Sequence, residues 1–351
     1  MRPLQAEIRL DALRDNYRLA HQLAGGRTLA VVKANAYGHG AVRCARALDG
    51  EADGFAVACI EEALELRAAG IVAPILLLEG VFEPDEYRLC AELGLWCVVQ
   101  SDIQLAMLET SSVASLPSVW LKMDSGMHRA GFAPDDYAAA WQRLAGSGKA
   151  LEIVKMSHFA RADEPDQVMT QAQIETFDAA CRALPGAASL ANSAGLMVHP
   201  RARREWSRAG IMLYGVNPLP QGMGPALKPV MRLTSRIFAV REIAAGEPLG
   251  YGHNFVATRR TRVGLVACGY ADGYPRLAST GSPVAIDGVR SRVIGRVSMD
   301  MLTVDLTDLP AAGLGSEVEL WGDAINVNEV AACAGTIAYE LLCNVKRARF
   351  V

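Results

Sequence analysis

The chain has 351 residues, 51% of them hydrophobic, and a formal net charge of −3. That length allows two domains at roughly 100–200 residues each, and the charge leaves no basic footprint for nucleic acid or an anionic membrane. Eight cysteines without a C-x-x-C pair, six histidines without an H-x-x-x-H spacing, no secretory h-region and no apolar run of membrane-spanning length argue against a disulfide frame, a metal site and a membrane protein. The expectation is a cytoplasmic protein with buried thiols.

Residues 4–9 alternate like a strand, and Asp11 reads as the N-cap of a helix that carries Leu13, Tyr17, Leu19 and Leu23 before Gly25-Gly26. A rhythm then sets in. Short apolar runs at 28–32, 54–59, 74–78, 95–99, 118–123, 151–156, 187–191 and 205–208 give eight strand candidates, separated by helical patterns, clearest at 61–69, 102–110 and 167–184. Alternating strands and helices suit a doubly wound sheet or a (β/α)8 barrel. A count of eight at near-even spacing favours the barrel, and no G-x-G-x-x-G follows the first run to support dinucleotide binding. The helix over 11–24 can take the place of the eighth helix.

The pattern changes at the Pro/Gly-rich stretch 217–225. Short alternating strands are expected at 231–240, 262–267, 283–286, 292–294, 302–306 and 317–320, with a closing helix over 328–334. The chain therefore divides into a barrel over 10–218 and a mostly β domain over 225–351, into which residues 1–9 could pair.

In a (β/α)8 barrel the chemistry sits at the C-terminal ends of the strands. Lys33 ends the first run, where a desolvated amine can form a Schiff base with an aldehyde; a lysine that merely reaches out to water is the plainer alternative. Lys122 and Asp124-Ser-Gly-Met-His-Arg129 end the fifth run, Ser157-His158-Phe159 the sixth, Asn192-Ser193-Ala-Gly195 the seventh and Arg208-Ala-Gly-Ile211 the eighth. Loops after strands seven and eight, with a short helix N-terminus, commonly hold phosphate in this fold. Ser193 and the amides of Gly210 and Ile211 suit that role. A lysine for an aldehyde and a phosphate site together point to pyridoxal phosphate.

The segment A-V-V-K-A-N-A-Y-G-H-G at 30–40 resembles the cofactor-lysine signature of the alanine racemase family. L-K-M-D-S-G-M-H-R-A-G-F, S-H-F-A-R-A-D-E, N-S-A-G, R-A-G-I-M-L-Y-G, Y-G-H-N-F-V-A, G-Y-A-D-G-Y-P-R, V-S-M-D and Y-E-L-L-C follow in that family's order. The resemblance implies that Lys33 carries pyridoxal 5'-phosphate and moves the α-proton on the D-alanine face. Tyr251, from the second subunit of a homodimer, would be the base on the L-alanine face, helped by His158 and Arg208. Arg208 would face the pyridine nitrogen. Arg129 and the backbone of Met299 would bind the substrate carboxylate, and Lys122 would be carbamylated. Tyr37, Ser193, Gly210, Ile211 and Tyr339 would form the phosphate shell. Tyr270, Arg276 and Asp163, with Tyr339, would narrow the entrance. Ser125, Ala130, His253 and Asn254 depart from common family residues, and the tail at 346–350 lacks the usual proline. A pyridoxal-phosphate decarboxylase, a racemase of broader specificity and a non-enzymatic carrier of the same barrel remain alternatives, as do biosynthetic and catabolic roles.

Overall fold

The computed structural model describes residues 2–278 and 280–351. They gather into two compact units, one of Leu13–Lys228 and one of the residues up to Ala12 with Pro229–Val351. The first strand, β1 (Gln5–Ile8), lies in the latter, and the helix Leu10–Ala24 follows it. Asp11 is inside the first turn of that helix and not its N-cap. A carboxylate there still favours the helix by meeting its positive end.

The barrel unit closes on eight parallel strands: β2 (Arg27–Val31), β3 (Gly54–Val57), β4 (Ile75–Leu77), β5 (Trp96–Val99), β6 (Val119–Lys122), β7 (Ile153–Met156), β8 (Ala188–Ser189) and β9 (Trp206–Ala209). Each falls within or beside one of the apolar runs. Helices cover the outer face and side chains fill the inner one, so these strands read as continuous apolar stretches rather than alternating ones. Closure is made by β2 on β9, with Arg27 opposite Trp206 through to Ala30 opposite Ala209. An open sheet has no such pairing.

Three indoles plug the end where the strands begin. Trp206 meets Trp96 edge-on at 5.3 Å and Trp120 at 5.7 Å between ring centroids. Strands β5, β6 and β9 are not all neighbours, so these rings meet inside the barrel. The Arg27 guanidinium caps Trp206 at 4.1 Å from the ring centroid. Packing at this end leaves the opposite rim to polar side chains.

The other unit is mostly β. Its strands are β10 (Met231–Ile243), β11 (Pro248–Leu249), β12 (Phe255–Val256), β13 (Thr261–Val266), β14 (Pro283–Ile286), β15 (Val289–Arg292), β16 (Leu302–Asp305), β17 (Glu317–Trp321) and β18 (Arg349–Phe350). The long β10 is the spine. It pairs antiparallel with β1, β17 and β13, and its register against β13 shifts between Ile237 and Ala239. β18 adds in parallel beside β1.

Two local expectations are corrected. The strand placed at 292–294 is β15, which starts at Val289. Asp287 and Gly288 both have positive φ (47° and 82°), so a two-residue turn puts Ile286 opposite Val289 at once. The single closing helix is a pair, Val327–Cys333 and Ala338–Cys343, divided at Gly335 with φ +67°. No helix among the described residues is long and apolar enough to cross a membrane.

Gly273 follows the 3-10 turn Tyr270–Asp272 at φ +99°, and a Cβ there would overlap the carbonyl of Asn344. Backbone meets backbone, so nothing soft can yield. Gly273→Ala is expected to cost about 2–4 kcal/mol. A chemical-denaturation midpoint equal to that of the parent would contradict this packing.

Candidate active site

Lys33 follows β2, and the chain then turns left-handed. Ala34, Asn35, Ala36 and Tyr37 have φ between 51° and 54°. The two alanines and the tyrosine each cost about 1–2 kcal/mol in that conformation, with asparagine better tolerated, so the turn needs outside support. Glu62 supplies some of it. Its carboxylate accepts the amide of Ala34 at 2.6 Å and that of Ala58, at the end of β3, at 2.7 Å. The buried imidazole of His39 supplies more, with Nδ1 3.0 and 2.9 Å from the carbonyls of Ala36 and Tyr37. Two acceptors facing Nδ1 place the proton on it, and burial pushes this imidazole down to about 4, so it stays neutral. Tyr214 stacks on His39 and packs against Tyr37, with centroids 4.6 and 4.8 Å away. Its own hydroxyl donates to Val31 at 2.8 Å.

The turn carries Tyr37 back to the loop after β9. Gly210 has no room for a side chain, since a Cβ would stand 2.8 Å from the Tyr37 hydroxyl oxygen. The Ser193 hydroxyl accepts the amides of Gly210 at 3.0 Å and Met212 at 3.3 Å. Ser193 opens the helix Ser193–Val198, capped by the Asn192 side chain, and Ile211 opens the 3-10 turn Ile211–Tyr214. Two hydroxyls, amides at the start of a turn and a bare Gly210 make a cradle whose chemistry fits a phosphate-sized anion.

Arg208 lies buried in β9. It donates to Ser189 Oγ at 2.6 Å, to the carbonyls of Ser157 at 2.8 Å and Leu190 at 3.2 Å, and to His158 Nδ1 at 3.3 Å. Burial pushes its guanidinium down to about 10, which leaves it charged at neutral pH. As acceptor at Nδ1, the His158 ring carries its hydrogen on Nε2. Burial and the charges of Arg208, Lys122, Arg129 and Lys33 hold this imidazole well below its usual value. Ser157 is noted in the sequence only as part of the segment ending the sixth run, with no role, and Ser189 is not among the expected site residues. The one signal for Ser189 is a hydroxyl inside an apolar strand. Gln173 was equally hidden: it donates to the His158 carbonyl at 3.1 Å from the helix Met169–Cys181.

Lys122, the last residue of β6, is 8% exposed. Burial first, then Arg129, Arg208 and Lys33, push its amine down to about 8, and Asp124 opposes them. The Asp124 carboxylate is itself engaged by the amides of Gly126, Met127 and His128 at 2.9, 2.9 and 3.0 Å, which shapes the loop leading to the exposed Arg129. Asp163 is also exposed, in the segment after β7. The remaining expected residues belong to the β unit. Tyr251, 68% exposed, begins the 3-10 turn Tyr251–His253 between β11 and β12. Met299 precedes β16 and Tyr339 sits on the helix Ala338–Cys343. Tyr270 and Arg276, with Tyr274, Asn344 and Lys346, line a cleft of about 390 Å³.

The folded value of Lys122 lies below the unfolded one, so its charge costs stability below pH about 8, and the cost fades as the pH approaches about 10.4. In bicarbonate-free buffer Lys122→Met is expected to gain up to about 3 kcal/mol at pH 7, shrinking towards zero by pH about 10.5. A gain in urea unfolding that does not change with pH would contradict the depressed amine.

Family sequence models for the alanine racemase N-terminal domain and the alanine racemase C-terminal domain match residues 8–218 and 230–350. An alanine racemase of Azoarcus sp. (strain BH72) is 61% identical over 350 residues, covering 100% of this chain and 99% of the relative. The crystal structure of the biosynthetic alanine racemase from Pseudomonas aeruginosa matches with a TM-score of 0.97 at 48% identity, over 100% of this chain and 99% of that one. The alanine racemase from Bartonella henselae, solved with covalently bound pyridoxal phosphate, matches with a TM-score of 0.90 at 30% identity, over 99% of each chain. With both domain models matched end to end on a closed barrel and a β unit, the chain belongs to the alanine racemase family.

Proposed function

We propose that this protein interconverts L- and D-alanine, with pyridoxal phosphate held by Lys33, in a cytoplasmic homodimer whose sites are shared between subunits. The observation that carries the reading is the Arg208–His158 pair beside Lys33 and the Gly210 cradle, in a chain that matches the family over its whole length. When bound, the cofactor draws electron density from the α-carbon of an attached amino acid and so acidifies its α-proton.

The remaining work falls to side chains. The hydroxyls of Tyr37 and Ser193 and the amides of Gly210 and Ile211 hold the phosphate, with Tyr339 completing the shell. Arg208 only donates and stays charged, so it leaves the pyridine nitrogen an acceptor. That tempers electron withdrawal and disfavours transamination. Racemisation needs a proton carrier on each face. Lys33 Nζ serves the D-alanine face, and Tyr251 Oη of the partner subunit serves the L-alanine face. An unassisted phenol has a pKa of about 10 and is a weak base at neutral pH. The His158 Nε2–H, oriented because Nδ1 accepts from Arg208, is the donor that stabilises its phenolate. The 68% exposure of Tyr251 leaves it available to a second copy of the chain. Arg129 and the Met299 amide take the substrate carboxylate. Tyr270, Arg276, Asp163 and Tyr339 restrict the entrance to a small side chain.

A Lys122 amine lowered to about 8 and set among cations is suited to adding CO2, forming an N–C bond with release of one proton. The resulting carbamate supplies an anion for Arg129. Intact mass is expected to carry one CO2 under native conditions and to lose it in acid; an unmodified Lys122 in both would exclude the carbamate.

The decisive experiment follows the optical rotation or circular dichroism of L- and D-alanine. The parent protein is expected to racemise both. Tyr251→Phe is expected to lose about 10²–10⁴-fold in the L-to-D direction while keeping its bound-cofactor absorbance. A protein that binds the cofactor on Lys33 and leaves alanine unchanged would overturn the substrate and favour the carrier alternative.

A further inference from the structure

A buried carboxylate of the β unit has no part in the roles assigned so far. Asp272 ends the 3-10 turn that Tyr270 begins, and its side chain is wholly buried. Its two oxygens accept the Arg2 guanidinium in a bidentate pair, with Nη2 at 2.6 Å. They also meet Nε of Arg347 at 3.0 Å and the amide of Gly269 at 2.8 Å. The same two arginines hold the neighbouring loop. Arg2 Nη2 donates to the Asp300 carbonyl at 2.6 Å, and Arg347 Nη2 to the Asp300 carboxylate at 2.6 Å.

Asp300 is the residue after Met299. The two loops are stitched directly as well. The Tyr270 amide donates to Ser298 and the Ala271 amide to Met299, both at 3.0 Å. A Cβ on Gly269 would overlap the carbonyls of Ser298 and Met299, so the loops touch backbone to backbone. Arg347 sits at φ +53°, an unfavourable conformation for arginine that persists only where its surroundings impose it. The Lys346 amide, donating to the Asp272 carbonyl at 2.8 Å, is part of that imposition. Two guanidiniums and two carboxylates thus form a neutral clamp at whose centre Asp272 is the buried member.

We infer that Asp272 is a positioning residue for substrate selection: through Arg2 and Arg347 it fixes the separation between the Met299 amide and the Tyr270 ring, and with it the size of side chain admitted. This rests on the reading that places Met299 and Tyr270 at the substrate. A carboxylate shared by bidentate Arg2 and Arg347 Nε sets distances that a neutral amide cannot, because an amide offers one acceptor and turns a donor towards a guanidinium.

The test compares the parent holoenzyme with Asp272→Asn and Arg347→Ala for racemisation of L-alanine and L-serine, with the thermal midpoint and bound-cofactor absorbance recorded. Asp272→Asn is expected to raise KM for alanine about tenfold and to narrow the alanine-over-serine preference several-fold, with kcat and absorbance held within about twofold. Arg347→Ala is expected to move both quantities the same way, with partial recovery in Arg347→Lys. If Asp272→Asn fails to fold, the half-exposed Arg347 series decides by the same criterion. A lowered thermal midpoint with unchanged KM and preference would make the clamp structural only and overturn the inference while leaving the racemase reading intact. A parent enzyme that leaves alanine unchanged would overturn both.

Discussion

The pairing of β2 with β9 is the constraint on which this structure depends. Eight parallel strands expose two edges until the first meets the last, and here Leu29 comes to lie opposite Arg208 and Ala30 opposite Ala209. That closure sets Lys33, just beyond β2, on the same rim as Gly210, just beyond β9. All strands run the same way, so every residue that follows a strand end arrives at one end of the barrel. The opposite end is filled by Trp96, Trp120 and Trp206. One end is therefore apolar and closed and the other polar and chemically equipped.

Charge gives the polar rim its character. Arg208, Lys122, Arg129 and Lys33 are near enough for their fields to act on His158. The carboxylate closest to hand, Asp124, has its Oδ1 committed to three backbone amides. Burial first, and then positive charge in excess of fixed anions, depresses both Lys122 and His158, and that excess creates a demand for anionic ligands. A cofactor phosphate, a substrate carboxylate and a carbamate on Lys122 are the anions that the proposed function brings to this rim. The neutral His158, held by Arg208 at Nδ1, follows from its burial together with the same field.

The β unit works by rigidity rather than charge excess. Its spine β10 ties β1, β17 and β13 together, and the Arg2–Asp272–Arg347–Asp300 clamp balances charge while holding the Tyr270 turn against the Met299 loop. Loops that display recognition groups are ordinarily the mobile parts of a fold. Here ionic contacts centred on the buried Asp272 and the glycines at 269 and 273 bring backbone onto backbone. The selection of a small side chain that the proposed function assigns to these loops calls for that kind of support.

Strand positions, the barrel and the change to β structure near residue 217 were legible in the sequence because hydrophobic runs and turn residues are local signals. The rim residues Lys33, Lys122, His158, Ser193 and Arg208 were legible too, as polar residues where apolar runs end. The hydroxyl within a strand, Ser189, was not, since a serine in a strand looks alike whether it faces a helix or an arginine. Neither was the Asp272 clamp, whose members Arg2 and Arg347 lie far apart in the chain. The clearest case is the turn at 34–37. Asn35 tolerates a left-handed conformation as a single residue, but the two alanines and the tyrosine disfavour it by about 1–2 kcal/mol each, so the run as a whole carries no local preference for that path. Sequence by itself determined that a lysine ends a buried strand there. Tertiary structure alone decided the path that follows, because the hydrogen bonds offsetting its cost come from Glu62 and His39, and His39 is set by its stacking on Tyr214, which only the closed barrel brings near.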